Sequence, residues 1–160
     1  MGTHDWQREI LLVEDNPDDA ELAMLALRES KLSNRIHWVR DGVEALEYLY
    51  GPEDAPHEEI VLPTVMLLDL KLPRLDGIAV ARRVKSDPRT AALPVIVMTS
   101  SREDRDVIES YRLGVNSYVV KPVDFAQFTE AVRQLGLYWL LLNQPPLGGK
   151  SPERGADPSM

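Results

Sequence analysis

Apolar residues fall along this chain in five short unbroken runs, separated by longer stretches in which apolar and polar positions mix. The runs are Glu9 to Val13 (EILLV), Arg35 to Arg40 (RIHWVR), Thr64 to Leu68, Pro94 to Met98 (PVIVM) and Asn116 to Val120. Their length suits strands, and continuous runs mark strands buried on both faces. Between them lie helical patterns. Asn16 as N-cap and Pro17 at the first helical position open a helix over NPDDAELAMLALRES, with Leu22, Leu25 and Ala26 at helical spacing. Asp41-Gly42 starts VEALEYLY, with Val43, Leu46, Tyr48 and Leu49 on or near one face. Asp76-Gly77 turns into GIAVARRVKS, which Asp87-Pro88 closes. Thr99-Ser100-Ser101 leads into REDRDVIESYRL, with Gly114 as its C-terminal cap. The last helix is expected from about Asp124 to Asn143, stopped by Pro145 and Pro146.

Five strands alternating with five helices predict an α/β fold, a five-stranded parallel sheet covered on both faces. Right-handed crossovers make it doubly wound. One domain is expected over residues 8–143, with flexible termini at 1–7 and 144–160 and an acidic, proline-containing loop at 51–62. About 17 residues after the last helix are too few for an output domain, so the chain is expected to act by docking.

Composition narrows the chemistry. The absence of cysteine excludes disulfides, thiolate zinc sites and cysteine nucleophiles. His4, His37 and His57 are scattered without metal-ligand spacing. A net charge of -8 argues against nucleic-acid binding. No apolar run is long enough to span a membrane, and MGTHDWQREI lacks the form of a signal peptide. A soluble, cytoplasmic domain is expected.

In a doubly wound sheet, ligands bind beyond the carboxyl ends of the strands. There the first strand ends in Glu14-Asp15, the third in Asp69, the fourth in Thr99-Ser100 and the fifth in Lys121. Three converging carboxylates repel, so either their pKa values rise or a cation sits among them. All-oxygen ligands favour Mg²⁺ over a transition metal. Lys121 adds a positive group for an anion, and Thr99 adds a hydroxyl donor. The set suits phosphoryl transfer to a carboxylate, with Asp69, alone at its strand end, as the nucleophile. Singly, each element has an ordinary explanation: a helix start for Glu14-Asp15, a turn for Asp69, a cap for Thr99, a strand aromatic for Tyr118 and a solvated side chain for Lys121.

Together, Glu14-Asp15, Asp69, Thr99, Tyr118 and Lys121-Pro122 resemble the signature of the receiver domain of two-component response regulators. The intervals of 30 residues from Asp69 to Thr99 and 52 from Asp69 to Lys121 agree with it. The resemblance covers roughly residues 8 to 143 and implies a flavodoxin-like strand order of 2-1-3-4-5. It implies that Asp69 accepts a phosphoryl group from a sensor histidine kinase. Asp15 would ligate Mg²⁺ directly, Glu14 through water, and Lys71 through its backbone carbonyl. Thr99 and Lys121 would bind phosphoryl oxygens, Tyr118 would move inward on activation, and Lys121-Pro122 matches a cis peptide position. Such a protein would catalyse only its own phosphorylation and dephosphorylation.

Two other readings stay open at this point. Hydrolases of the haloacid-dehalogenase type also use a strand-end aspartate with Mg²⁺, but they resemble Asp-x-Asp, and position 71 here is lysine. A receiver-like module that takes no phosphate would be expected to lack the aspartates or the lysine, and none is missing. In the last helix, Phe125, Phe128, Val132, Leu135, Trp139 and Leu142 recur at steps of three and four, with Leu137, Tyr138, Leu140 and Leu141 adding a second face. A homodimer through Phe128, Leu135, Tyr138, Trp139 and Leu142, with the helix over 102–113 as neighbour, is expected. The acidic insertion, the GLYWLLLNQPP segment and the missing output domain resemble stand-alone receivers paired with phytochrome-type histidine kinases.

Overall fold

All five expected strands form, within a residue of their predicted bounds. In the computed structural model they are β1 (Glu9–Val13), β2 (Arg35–Val39), β3 (Val65–Asp69), β4 (Val95–Thr99) and β5 (Ser117–Val120). All neighbours pair in parallel, in the order β2-β1-β3-β4-β5. The structure describes residues 9–29, 35–51, 60, 62–100, 112–115 and 117–136. Among these the helices are α1 (Pro17–Glu29), α2 (Gly42–Tyr50), α3 (Gly77–Ser86) and α4 (Phe125–Gln134). The helix expected over 102–113 lies almost wholly outside the described residues, as do both termini and most of the 51–62 loop. Among the described residues no helix is long and apolar enough to cross a membrane.

Strand alternation sends successive side chains to opposite faces of the sheet and creates two cores. Ile10 and Leu12 pack with Ala20, Ala23, Ala26 and Leu27 of α1 and with Phe128, Ala131 and Val132 of α4. Leu11 and Val13 pack with Ala45 and Leu49 of α2 and with Val80, Ala81 and Val84 of α3. Covered on both sides, β3 and β4 are buried along their whole length, which accounts for their unbroken apolar sequences.

Helix starts follow side-chain caps. Asp41, Asp76 and Asp124 each accept from the backbone N–H three residues on, in α2, α3 and α4. Asn16 does the same for Asp18 and Asp19 at the start of α1.

Two expectations change. In α1 the buried face is built from Ala20, Ala23, Ala26 and Leu27, while Leu22 and Leu25 are 44% and 45% exposed. Small residues let this helix lie close to the sheet, a choice that leucine periodicity conceals. In α4, Phe128 is fully buried in the core and offers no surface to a second copy. Leu135 also packs against that core. The described helix ends at Gln134, and residues 137–143 of the expected helix lie outside the described residues; Gly136 adopts a left-handed φ of 73°. Its N–H bonds to the Arg133 carbonyl, the kind of contact that closes a helix at glycine. Tyr138, Trp139 and Leu142, the other residues of the expected dimer face, lie outside the described residues.

Candidate functional site

Parallel strands end on one side of the sheet, so β1, β3, β4 and β5 deliver Glu14, Asp69, Thr99 and Lys121 to a single rim. A cleft of about 180 Å³ lies there, lined by these four together with Asp15, Asn16, Asp19, Lys71 and Ser100 among others. Glu14 and Asp69 are buried, and Asp15 is exposed. One carboxylate oxygen from each lies within 4.8 Å of the other two. Sequence reasoning expected this convergence from strand topology alone.

Lys121 is the hub. Its ammonium donates to Asp69 Oδ2 at 3.0 Å, Asp19 Oδ2 at 3.1 Å and Glu14 Oε1 at 3.2 Å. The Lys121-Pro122 bond is cis. The Lys121 N–H bonds to the Thr99 carbonyl at 2.7 Å, which ties the lysine to the end of β4. Thr99 itself is buried, 4% exposed. Asp69 Oδ1 accepts from the Lys71 N–H at 3.1 Å, so the chain turns back over the carboxylate directly after the strand. Gly77 presses on this turn, since a Cβ there would stand 2.2 Å from the Asp69 carbonyl oxygen. Tyr118 is half-buried on β5 and packs against the core on the α2 and α3 side.

The cluster carries more negative charge than it neutralises. Burial pushes the Glu14 carboxyl up to about 7, and the Asp69 charge adds to it, outweighing the Asn16 N–H and Lys121, which favour the anion. Burial alone would lower the Lys121 pKa; the charges of Asp69 and Glu14 and the bonds to Asp69 and Asp19 instead hold it above the ordinary lysine value. A buried acid with so high a pKa beside a second buried carboxylate suits a site built for further positive charge. The donors are hard oxygens only, which fits a divalent cation of the magnesium or manganese kind.

Two partnerships escaped the sequence. Asp19, one turn into α1, is the third ligand of Lys121; only its position opposite the β5 end reveals it. Arg74, at a left-handed φ of 65°, makes two hydrogen bonds to Asp41 and ties the loop after Asp69 to the start of α2. No short-range motif encodes a contact 33 residues apart.

A strand-end carboxylate beside an acidic pair, a lysine and a hydroxyl, on a 2-1-3-4-5 parallel sheet, fits a class: doubly wound phosphoacceptor domains. Residues 10–133 match the response regulator receiver domain, and the chain belongs to that family. Members of the family are signalling phosphoacceptors of two-component systems, with histidine kinases as partners, and this reading holds over the hydrolase and inert-module alternatives. The probable methanogenesis regulatory protein FilR2 of Methanothrix harundinacea is 42% identical over 137 residues, 86% of each chain. Response regulator Rcp1 of Synechocystis is 35% identical, over 82% of this chain and 88% of its own. A crystal structure of the Mn(2+)-bound form of Rcp1 matches with a TM-score of 0.65 at 34% identity, covering 83% of this chain and 94% of that one. The bacteriophytochrome response regulator RtBRR matches with a TM-score of 0.77 at 50% identity, covering 89% of this chain and 86% of that one.

Proposed function

We propose that this receiver takes a phosphoryl group onto Asp69 from a phytochrome-type histidine kinase, in a reaction that depends on Mg²⁺. The observation that carries the proposal is the Lys121 ammonium shared between Asp69 and Glu14 inside a cleft with a third carboxylate. An Asp69 carboxylate oxygen attacks the phosphorus of a phosphohistidine. The new O–P bond forms as the N–P bond breaks, and the released imidazole nitrogen keeps the electron pair and takes a proton from water.

Glu14, Asp15, Asp69 and the Lys71 carbonyl are the groups that would hold Mg²⁺, which when bound supplies positive charge to the phosphoryl oxygens. Lys121, already held beside Asp69, moves its ammonium from carboxylate to phosphoryl oxygen with little rearrangement. The Thr99 hydroxyl donates to another oxygen, and its movement opens room for Tyr118 to turn inward, which is the signal. The chain catalyses only its own phosphorylation and dephosphorylation. The likeness to RtBRR supports a phytochrome-type kinase as donor.

Incubation with acetyl phosphate and Mg²⁺ is expected to label the wild type, and EDTA or Asp69→Asn to abolish labelling. Steady turnover of generic phosphomonoesters would instead favour a hydrolase. A homodimer through Leu135 and the segment holding Tyr138, Trp139 and Leu142 completes the proposal. Trp139→Glu is then expected to halve the sedimenting mass, and an unchanged mass removes that segment from the interface.

A further inference from the structure

We infer that Trp38 is a positioning residue for the cation site: its indole fixes the peptide between Glu14 and Asp15. The inference rests on the reading of Glu14, Asp15 and Asp69 as cation ligands and adds a residue that touches none of their carboxylates.

The indole Nε1–H donates to the main-chain oxygen of Glu14 at 2.7 Å. On the other side of the same residue, the Glu14 N–H donates to the Val39 carbonyl at 3.1 Å. Glu14 stands one residue beyond β1, where regular strand pairing has ended, yet both of its backbone groups are bound to residues of β2. The Glu14 carbonyl and the Asp15 N–H belong to one rigid plane. Holding that oxygen therefore sets the direction in which Asp15 leaves Glu14, and with it the relation of the two carboxylates.

Exposed Asp15 has the most to gain from such a constraint, because burial orients Glu14 and Asp69 already. The tryptophan is itself braced. It is half-buried against the same core that Met24 and Ile36 pack on, and the Arg40 guanidinium lies 4.5 Å from its ring centroid. An indole N–H is a donor only, so the bond has one polarity and one partner. Groups that orient cation ligands in this way tune affinity without touching the ion.

Trp38→Phe keeps an aromatic ring and deletes the donor. Mg²⁺ binding is read by calorimetry and by the Mg²⁺-dependent rise in Tm, and the rate of acetyl phosphate labelling is followed against Mg²⁺ concentration. The variant is expected to bind Mg²⁺ about five-fold more weakly, the loss of one hydrogen bond. Its labelling rate at saturating Mg²⁺ stays within two-fold (~) of the wild type. Met24→Ala loosens the same packing without touching the hydrogen bond; it is expected to lower Tm and leave Mg²⁺ affinity unchanged. Unchanged Mg²⁺ affinity in Trp38→Phe overturns the inference while leaving the cation site standing. An equal loss in Met24→Ala also overturns it, because general loosening then suffices. A wild type that binds no Mg²⁺ overturns both this inference and the cation-site reading beneath it.

Discussion

Replacing Glu14 with glutamine tests the charge imbalance at the rim without altering its shape. The Glu14 carboxyl is 1% exposed, and its pKa is raised from 4.5 to about 7 by burial first and by Asp69 second. A raised acid favours the protonated folded state. The stability it contributes is complete below pH 4.5 and is lost as pH rises through about 7. At 1.36 kcal/mol per pH unit, ionising Glu14 in the folded protein costs about 3 kcal/mol. For a chain of 160 residues that corresponds to a fall in Tm of about 6 to 12 °C between pH 5 and pH 8 in EDTA. Glu14→Gln, neutral throughout, is expected to melt above the wild type by that margin at pH 8 and to converge with it near pH 5. Scanning calorimetry at a series of pH values reads both curves. Added Mg²⁺ at pH 8 is expected to restore the wild type and leave the variant nearly unmoved. Parallel curves for the two proteins from pH 5 to 8 would refute the reasoning.

Three further substitutions test the frame around the site. Asp41→Ala removes the α2 cap and both bonds to Arg74 and is expected to cost about 1 to 2 kcal/mol, read from urea unfolding with an unchanged m-value. Gly77→Ala sets a methyl 2.2 Å from the Asp69 carbonyl oxygen; about 1 to 3 kcal/mol of stability and most acetyl phosphate labelling are expected to go together. Thr90→Val keeps the shape of a fully buried side chain but strips the Tyr50 hydroxyl and the Val84 carbonyl of a partner, for a loss of about 1 to 3 kcal/mol by thermal unfolding.

The contrast between what the sequence shows and what it hides has physical causes. The three inner strands, β1, β3 and β4, are legible because burial on both faces leaves their inner positions apolar. The bounds of α3, Gly77 to Ser86, are read directly from the Asp76 cap and Asp87-Pro88. Glu14, Asp15, Asp69 and Lys121 are legible as a set because parallel strands bring their carboxyl ends together whatever the loops do. Phe128 is different. An apolar stripe on a helix has the same periodicity whether a sheet or a second copy covers it, and here the sheet covers it. Leu22 and Leu25 mislead for the opposite reason, since the sheet takes the alanine side of α1. Asp19, Arg74 and Trp38 find partners 102, 33 and 24 residues away, through side-chain directions that only the folded backbone defines.

The central claim is that Asp69 carries the phosphoryl group. Borohydride reduces an aspartyl phosphate to homoserine, so peptide mass spectrometry after acetyl phosphate, Mg²⁺ and borohydride locates the acceptor at a single residue. The expected result is homoserine at position 69 in the Mg²⁺ sample and unmodified aspartate at 69 in EDTA. Full phosphoryl incorporation with position 69 still aspartate, or homoserine at 15 or 19 instead, would contradict the account.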